Sequence, residues 1–248
     1  MVNAKEAWDR SVSAYISSED IYNEEINHAA ITRYLGDIQG KTILDYGCGY
    51  GIFARNLKKK GAGQVIATDT SSSMIQLAKA ADVSVPVQYY YMPENNLSFL
   101  GNATVDKVTA NLVFMMIPTA QEIAASMQEI HRVLRPGGIF VYLITHPCFI
   151  QRGGYNYYNV FKQDFHYMQE GASYRFILRD VDGQDVDGEF FDYHHTLTTY
   201  LNVTLQVGFQ LTAFEELAYP DKVIKKYGVS KAFQTFPQAL VVQWVKPW

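Results

Sequence analysis

The spacing of hydrophobic residues changes near residue 41 of this 248-residue chain. Upstream, apolar residues between Ile26 and Leu35 recur at spacings that place them on one helical face, and Gly36 predicts the end of that helix. Downstream, short apolar runs alternate with helical stretches, which is typical of parallel strands joined by crossover helices. The pattern predicts one α/β domain over residues 1–248, with residues 1–40 as a helical amino-terminal segment.

Five apolar runs predict the first strands of a sheet, and the last of them is weaker than the others. They are Thr42 to Tyr46, Gln64 to Thr68, Lys107 to Leu112, Gly138 to Ile144, and Val87 to Tyr91. Residues 121–134 have helical spacing and end at Arg135-Pro136-Gly137-Gly138, which predicts a helix, a stop and a turn. A helix over residues 196–207 and strands over 211–217 and 239–245 return the chain to the sheet.

Residues 147–195 interrupt this alternation with an aromatic-rich stretch. A run of rings this dense is poorly suited to solvent, so we interpret it as an aromatic lid inserted over a pocket. A dimer contact, or a small core of the lid itself, is the alternative. Within it, Asp-Gly pairs at 182–183 and 187–188 lie between Tyr174 to Leu178 and Glu189 to Tyr193, which predicts a hairpin.

Composition narrows the class of protein. The net charge is −4, from 21 basic and 25 acidic residues, so we expect no nucleic-acid partner. The apolar stretches are too short to span a bilayer, and the polar residues 1–10 lack the apolar core of a secretory signal. Cys48 and Cys148 lack the spacing of a metal site, and we expect no bound metal. We therefore expect a cytoplasmic monomer or homodimer without a membrane partner.

A glycine-rich turn follows the first predicted strand and precedes a helix. Glycines allow the backbone to approach a ligand closely, and the first turn of the helix offers free N–H groups. The dinucleotide-binding pattern would need a third glycine at residue 52, where this chain has Ile52. The segment from Asp45 to Gly51 reads DxGxGxG instead.

With this motif the sequence resembles the class I S-adenosylmethionine-dependent methyltransferases, specifically a bacterial small-molecule branch. The second strand ends at Asp69, and residues 69–74 are similar to the second motif of the family. Ser71 is also a natural N-cap, which predicts a helix over residues 72–80. Further similar segments are residues 104–108, 111–117 and 130–138, so the resemblance covers residues 40–146. It implies a Rossmann-like fold with a seven-stranded, mostly parallel sheet, helices on both faces and a lid insertion after the fifth strand.

The resemblance also implies S-adenosylmethionine as cofactor and S-adenosylhomocysteine as product. The residues expected to bind the cofactor are Asp45, Gly47, Cys48, Gly49, Gly51, Asp69, Thr70, Met74, Met92, Pro93 and Asn111. The chain lacks the acid that many relatives place after the third strand, so adenine is held by backbone and Met92 or by Glu94. Cys48 as a filler under the loop is the simpler interpretation, and for Met74 and Met92 plain core is as good an interpretation as adenine contact.

Ligands of open parallel sheets bind at the carboxyl ends of the strands, so we expect the residues after the fourth and fifth strands to face the transferred methyl group. His146 follows the fifth strand, and His194 lies in a segment similar to one of the same bacterial branch. Both are our candidates for a general base. We expect the substrate-binding residues to be Phe114, Met115, Tyr155, Tyr158 and His195. The alternative is that His194 and His195 only cap a helix or form hydrogen bonds in the lid.

These observations predict methyl transfer by in-line displacement to a nitrogen or oxygen atom of a small-molecule acceptor. A general base is optional, because a neutral amine needs none. Two alternatives remain open at this point: a cofactor-binding protein of the same fold with a regulatory or non-methylating role, and a nicotinamide-dependent oxidoreductase. The sequence does not identify the acceptor.

Overall fold

The fold is that of a computed structural model, which describes residues 12, 15–16, 23–81, 86–94, 96–180, 182–188 and 190–248. The strands are β1 (Thr42–Tyr46), β2 (Gln64–Asp69), β3 (Gln88–Tyr91), β4 (Val105–Asn111), β5 (Leu134–Thr145), β6 (Tyr157–Val160), β7 (Ala172–Leu178), β8 (Phe190–His194), β9 (Gln210–Leu217) and β10 (Ala239–Val245). The α-helices are α1 (Ala29–Leu35), α2 (Ile52–Lys59), α3 (Ser72–Ala81), α4 (Ala120–Val133), α5 (Leu197–Val207) and α6 (Asp221–Tyr227). A π-helix (Asn23–His28) precedes α1.

The main sheet has seven strands in the order β3-β2-β1-β4-β5-β10-β9. The pairs among the first five strands are parallel, whereas β10 runs antiparallel to both β5 and β9. The strand order turns at β1, which has β2 on one side and β4 on the other. The predicted seven-stranded, mostly parallel sheet is confirmed.

Helices cover both faces of this sheet because its strands are apolar on both sides. Side chains alternate along a strand, so Ile43 and Leu44 enter different hydrophobic clusters, as do Val241 and Val242. One cluster includes residues of α4 and α5, among them Met127. The other includes residues of α1, α2 and α3. The core is therefore divided into two layers, and the ends of the strands remain available for a ligand.

Helix boundaries follow local signals in the sequence. Gly36 ends α1 with a φ of 66°, as predicted. Ser71 caps α3, since its Oγ accepts from the Met74 N–H at 3.2 Å, which also agrees with the sequence. Thr119 caps α4: the Glu122 N–H donates to Thr119 Oγ1 at 3.2 Å, and Thr119 Oγ1 donates to the Glu122 carboxylate at 2.8 Å.

One predicted boundary is wrong. The turn expected at residues 135–138 is instead the beginning of β5, which starts at Leu134. The reason is pairing with the carboxyl-terminal residues: the Gly137 N–H donates to the Lys246 carbonyl at 2.8 Å, and the Lys246 N–H donates to the Gly138 carbonyl at 3.0 Å. Pairing across the sheet overrides the local turn signal of Pro136 and the two glycines.

The insertion between β5 and α5 contains a second sheet of three antiparallel strands, β6-β7-β8, called here the small sheet. Its pairs include Tyr174 opposite Asp192 and Phe176 opposite Phe190. The hairpin predicted from the Asp-Gly pairs is thus present as β7 and β8, except that Glu189 lies outside the described residues. Strand β6 was not predicted, because its residues were interpreted only as an aromatic run.

A second insertion, between β9 and β10, contains α6 and was not predicted. Asp221 in its first turn and Gly228 after its end are ordinary helix signals. Tyr219, Val223 and other residues of this insertion form a small hydrophobic cluster that Ile26 of the π-helix joins. Lys226 and Tyr227 also donate hydrogen bonds to the Glu25 carboxylate, the latter at 2.6 Å. Through these contacts the insertion holds the π-helix against the rest of the domain.

Of the helical segment predicted over residues 1–40, the structure describes a helix from residue 23 to 35. Upstream it describes three residues, 12, 15 and 16, in helical conformation, and the rest of the prediction lies outside the described residues. In the part of the chain that the structure describes, no helix has the length and apolarity to cross a membrane.

Candidate active site

A cavity of about 1470 Å³ lies between the main sheet and the small sheet. Four polar residues that line it stand at or next to the carboxyl ends of four parallel strands: Asp45 of β1, Asp69 of β2, Asn111 of β4 and Thr145 of β5. The opposite wall comes from the small sheet. This is the position at which open α/β sheets bind their ligands.

The glycine-rich loop closes one end of the cavity. The Gly47 and Cys48 N–H groups both donate to the Thr68 carbonyl at 2.8 Å, which holds the loop against the end of β2. Gly47 has a φ of 78°, and a Cβ there would overlap with the Val113 side chain. Gly49 has a φ of 52°, but a Cβ there would meet nothing within 4 Å. Gly49 therefore borders open space on the cavity side, into which a ligand fits.

Asp69 is oriented by the backbone on both sides of it. Its Oδ2 accepts from the Gly49 N–H and its Oδ1 accepts from the Ser71 N–H, each at 2.8 Å. Each carboxylate oxygen can accept more than one hydrogen bond, so these contacts leave capacity for a ligand. The arrangement places a fixed carboxylate beside the glycine loop, suited to a pair of hydroxyl groups.

Asp45 is the most deeply buried acid among the described residues of the cavity, with 1% exposure, and its Oδ2 has no hydrogen-bond partner among those residues. Burial raises the pKa of its carboxyl group, the charge of Asp69 raises it further, and the Ala54 N–H lowers it, giving about 7. A buried polar atom without a partner costs free energy. A bound ligand with a donor or a positive charge would remove that cost, and the ammonium or sulfonium group of S-adenosylmethionine fits this requirement.

Apolar residues lie next to the carboxylates. Met74, Met92 and Pro93 line the cavity together with Glu94. Met92 is buried, and its N–H donates to the Asp69 carbonyl at 2.8 Å, so the segment after β3 is held at the end of β2. The two sources of adenine binding considered from the sequence, Met92 with backbone groups and Glu94, thus both border the cavity.

The other end of the cavity is formed by one face of the small sheet. Tyr174, Phe176 and Leu178 alternate along β7 and all line the cavity, as does Asp192 of β8. Asp192 is 6% exposed, and its Oδ2 accepts a long hydrogen bond of 3.4 Å from the Tyr174 hydroxyl. Burial raises the pKa of Asp192 to about 7, although the Tyr174 hydrogen bond lowers it.

Sequence reasoning missed Asp192. A signal was present, since Phe190, Asp192 and His194 occupy alternate positions of the predicted strand and all three are buried. An acid on the apolar face of a strand is uncommon unless it has a partner or a function. The hairpin prediction did not say which face would meet the cavity, so this signal was not used.

Sequence reasoning also missed the contribution of the π-helix. His28 lines the cavity, its ring stacks on that of Phe53 at 4.3 Å between centroids, and its Nδ1 has no hydrogen-bond partner in the described part of the chain. Burial lowers the pKa of His28 to about 4, so the ring is neutral near pH 7. Asn111 donates through Nδ2 to Asn23 Oδ1 at 3.0 Å, which connects the π-helix to the end of β4.

The structure brings together most of the residues expected at the cofactor site. Those that line the cavity are Asp45, Gly47, Cys48, Gly49, Asp69, Thr70, Met74, Met92, Pro93, Asn111 and, from the expected substrate site, Met115. Gly51 is not among the described residues that line the cavity. It is the residue immediately before α2. Burial raises the pKa of the Cys48 thiol, which fits a filler under the loop.

Several residues expected at the acceptor side lie elsewhere. Phe114 is buried in the core against Tyr142, with ring centroids 5.4 Å apart. Tyr158 donates to Asp185 at 2.7 Å, and the Tyr155 N–H donates to the Tyr219 hydroxyl at 3.4 Å. Neither tyrosine is among the described residues that line the cavity. Their predicted contact with substrate has no support from this geometry.

The two histidines expected as bases have other partners. His146 Nε2 lies 2.8 Å from Glu216 Oε1, and its Nδ1 accepts from the Cys148 N–H at 3.3 Å, so its ring is a neutral donor to Glu216. His194 Nε2 lies 2.6 Å from the Tyr167 carbonyl. Burial lowers the pKa of both rings. Neither histidine is among the described residues that line the cavity. The catalytic role expected of both stays a prediction.

His195 has an acceptor at each ring nitrogen: Glu170 Oε2 at 3.1 Å from Nδ1 and the Ile117 carbonyl at 2.9 Å from Nε2. Glu170 also accepts from the Thr196 N–H at 2.9 Å and from Thr199 Oγ1 at 2.7 Å. Burial alone would raise the pKa of Glu170, but these hydrogen bonds lower it to about 2. The group ties the insertion to the start of α5 and to the segment after β4.

Comparison with known proteins agrees with this geometry. Residues 44–142 match a family model described as a methyltransferase domain. N-demethylindolmycin N-methyltransferase of Streptomyces griseus is 37% identical over 105 residues, which cover 42% of this chain and 44% of that protein. The match thus spans less than half the length of that relative. An uncharacterized protein of Haemophilus influenzae is 27% identical over 212 residues, 81% of this chain and 79% of that protein.

The fold is shared with solved structures over nearly the whole chain. The crystal structure of an S-adenosylmethionine-dependent methyltransferase from Mesorhizobium loti superposes with a TM-score of 0.67 at 23% identity, over 88% of this chain and 96% of that one. Residues 44–142 thus match a methyltransferase domain, and the fold of the chain is similar to that of S-adenosylmethionine-dependent methyltransferases of known structure. The family implies S-adenosylmethionine as its cofactor, and the orphaned Asp45 oxygen and the open side of Gly49 fit that group.

Proposed function

We propose that this protein transfers a methyl group from S-adenosylmethionine to a nitrogen or oxygen atom of a small molecule held under the small sheet. One observation carries the proposal: a single cavity has the glycine loop with Asp45 and Asp69 at one end and a separate wall from the small sheet at the other. A cofactor and an acceptor can therefore share one continuous cavity. The relative from Streptomyces griseus, by its name an N-methyltransferase, is consistent with a nitrogen acceptor.

We assign the cofactor to the end formed by residues 45–51, 69–74 and 92–94. Asp69 would accept hydrogen bonds from the ribose hydroxyls, because its carboxylate is already oriented by the Gly49 and Ser71 amides. Met74 and Met92 would pack on the adenine ring. Asp45 would face the positively charged part of the cofactor.

When bound, S-adenosylmethionine supplies a methyl group on a positively charged sulfur, which is a good leaving group. The protein has to align the acceptor atom with that methyl group and keep water away. The small sheet contributes both functions, since Tyr174, Phe176 and Leu178 present a mainly apolar wall. We interpret the small sheet as the lid expected over residues 147–195.

The remaining parts of the proposal concern partners and location. A cavity of about 1470 Å³ between two sheets has room for a small-molecule acceptor beside the cofactor, and the net charge of −4 does not favour nucleic acid. Cys48 and Cys148 are both free thiols, which is consistent with a reducing cytoplasm. We propose a cytoplasmic enzyme that is a monomer or a homodimer.

The test is calorimetric titration of the purified protein with S-adenosylmethionine and with S-adenosylhomocysteine. We expect micromolar dissociation constants, about −8 kcal/mol. Replacing Asp69 by alanine should weaken binding of both by roughly 100-fold, because it removes charge-assisted hydrogen bonds to the ribose and loosens the Gly49 loop.

The matched control is Asp187→Ala, since Asp187 is an exposed acid of the insertion. It should leave both affinities unchanged. Absence of binding by the wild-type protein would contradict the proposed function. Equal affinities in the wild type and Asp69→Ala would contradict the assignment of the ribose site.

A further inference from the structure

Asp192 is a buried carboxylate that the cofactor site does not use. It belongs to the small sheet, opposite the glycine loop, and is 6% exposed. The side chains around it are phenols: Tyr174, which pairs with it across the strands and is itself hydrogen bonded to Thr145, Tyr200 of α5 and the neighbouring Tyr193. A buried acid in such surroundings is costly unless a cation or strong donors accompany it.

Among the described residues, no basic side chain pairs with Asp192. Of the described residues that line the cavity, two are basic: Arg132 and His28. Arg132 already donates to Glu129, at 2.8 Å, and to the carbonyls of Leu97 and Leu100. Burial keeps His28 neutral. The hydrogen bond that Asp192 accepts from Tyr174 is long, at 3.4 Å.

The charges near this end of the cavity are negative. Glu122 of α4 also lines the cavity, and both Glu122 and Asp192 act electrostatically on the Tyr193 phenol. Glu170, another acid of the insertion, lies with its Oε2 3.1 Å from His195 Nδ1. A cationic ligand group would therefore be attracted to this end, and an anionic one repelled.

We propose that Asp192 binds the methyl acceptor through an ammonium group, so that the acceptor is a primary or secondary amine on an apolar body. This inference rests on the methyl-transfer function proposed above and names its substrate class. The apolar body would contact Phe176, Leu178 and Met115, which line the same end. The tyrosine rings add faces that favour a cation.

The same carboxylate can manage the proton. An ammonium ion has no lone pair for attack, so Asp192 first accepts one proton from it and leaves a neutral amine. The nitrogen lone pair then forms the bond to the methyl carbon while the carbon–sulfur bond breaks and its electron pair stays on sulfur. The methylated product is again an ammonium ion, and it carries the positive charge that the sulfonium loses.

A pair of probes of nearly equal shape tests the proposal. 2-Phenylethylammonium and the neutral 2-phenylethanol are titrated into the protein saturated with S-adenosylhomocysteine, for the wild type and for Asp192→Asn. The wild type should prefer the ammonium. The asparagine variant should lose roughly 10- to 100-fold of the ammonium affinity, as expected for loss of a charge-assisted hydrogen bond, while its affinity for the alcohol stays constant.

Asp187→Asn is the matched control, because it removes an exposed carboxylate of the same insertion, and it should behave as the wild type. In turnover assays that detect S-adenosylhomocysteine, amines should be methylated, and Asp192→Asn should lower their kcat/KM while the KM for S-adenosylmethionine is unchanged. Equal wild-type affinity for the two probes, or ammonium affinity unaffected by Asp192→Asn, overturns the proposal.

The two proposals can fail separately. If S-adenosylhomocysteine does not bind, methyl transfer is refuted, and the probe titrations are repeated without it. An ammonium preference that depends on Asp192 would then still support the carboxylate as an amine-binding group. Methylation of hydroxyl compounds at a rate independent of Asp192 would support methyl transfer and overturn the amine assignment.

Discussion

The two ends of the cavity each contain a buried aspartate, but the chain builds them in different ways. At the glycine-loop end, Asp45 belongs to a seven-residue motif and is two residues from the first glycine. At the opposite end, Asp192 reaches the cavity because the small sheet pairs it with Tyr174, 18 residues earlier. Burial raises the pKa of both acids to about 7. A buried aspartate with a raised pKa thus results from a local sequence motif at Asp45 and from strand pairing at Asp192.

Because of this difference, the two ends of the cavity tolerate different substitutions. The glycine loop is constrained by backbone conformation, so a single added methyl group disturbs it. The opposite end is constrained by strand pairing and by anchors at the base of the insertion, so its lining residues can change without moving the loop. One end is therefore suited to a fixed ligand, and the other to a ligand that differs between relatives.

The largest expected effect comes from substituting the two glycines of the loop. Gly47→Ala should lower the free energy of unfolding by about 2–3 kcal/mol, because its φ is positive and its Cβ overlaps with Val113. Gly49→Ala should cost only about 1 kcal/mol, since it has the positive φ without the overlap. Urea denaturation measures both.

In a titration with cofactor we expect the order of the two variants to be reversed, so that Gly49→Ala has the larger effect on affinity. Its alanine methyl group would occupy the open space beside the loop, so we expect a clear loss of S-adenosylmethionine affinity despite the small loss of stability. Similar stabilities for the two variants would show that Val113 does not constrain the loop. Unchanged cofactor affinity in Gly49→Ala would place the ligand away from that space.

A smaller effect is expected from pH. The folded-state pKa of Asp192, about 7, lies above its ordinary value of 3.8, so the folded protein binds the proton more tightly than the unfolded chain. Its contribution is present below about pH 4 and is lost as the pH rises to about 7, by at most about 1.4 kcal/mol per pH unit. The difference in unfolding free energy between wild type and Asp192→Asn should follow this course.

Taking the difference between the two proteins removes other titrations from the measurement. His28, whose pKa is lowered to about 4, contributes in the opposite direction, because stability is lost as its ring is protonated at acid pH. This contribution is common to both proteins. A difference that does not change between pH 4 and 8 would mean that Asp192 is not desolvated in the folded protein.

The smallest effect is expected at the base of the insertion. Glu170→Gln keeps the size of the side chain but weakens the hydrogen bonds from His195, Thr196 and Thr199. Because Glu170 is partly exposed, we expect a loss of about 1 kcal/mol in the free energy of unfolding. The pKa of Glu170 is lowered to about 2, so this loss should be seen at neutral pH and vanish as the pH falls through that value.

Calorimetry of the same variant separates the two ends of the cavity. Glu170→Gln should leave the affinity for S-adenosylhomocysteine unchanged, since Glu170 does not line the cavity. A loss of cofactor affinity comparable with that of Asp69→Ala would show that the insertion and the glycine loop are not independent.

The sequence was sufficient where structure follows from neighbouring residues. The strands β1 and β2, the glycine loop between them and the caps at Gly36 and Ser71 depend on spacing and local conformation, and they are confirmed. It was insufficient where partners are distant in the chain. The start of β5 depends on Lys246, and the position of Asp192 depends on β7. His146 and His194 have the right chemistry for a base, but in each of them a residue distant in the chain, Glu216 or Tyr167, is hydrogen bonded to Nε2.

The contact of Glu25 with Lys226 and Tyr227 joins segments about 200 residues apart. Contacts of such separation require closure of a very long loop, so they are expected to form after the more local pairings of the sheet. The π-helix that carries His28 against the cavity is held by this contact. We therefore expect the order of folding to be sheet first and amino-terminal wall last, so that a nascent chain completes its binding cavity only once β10, which follows α6, has been synthesised.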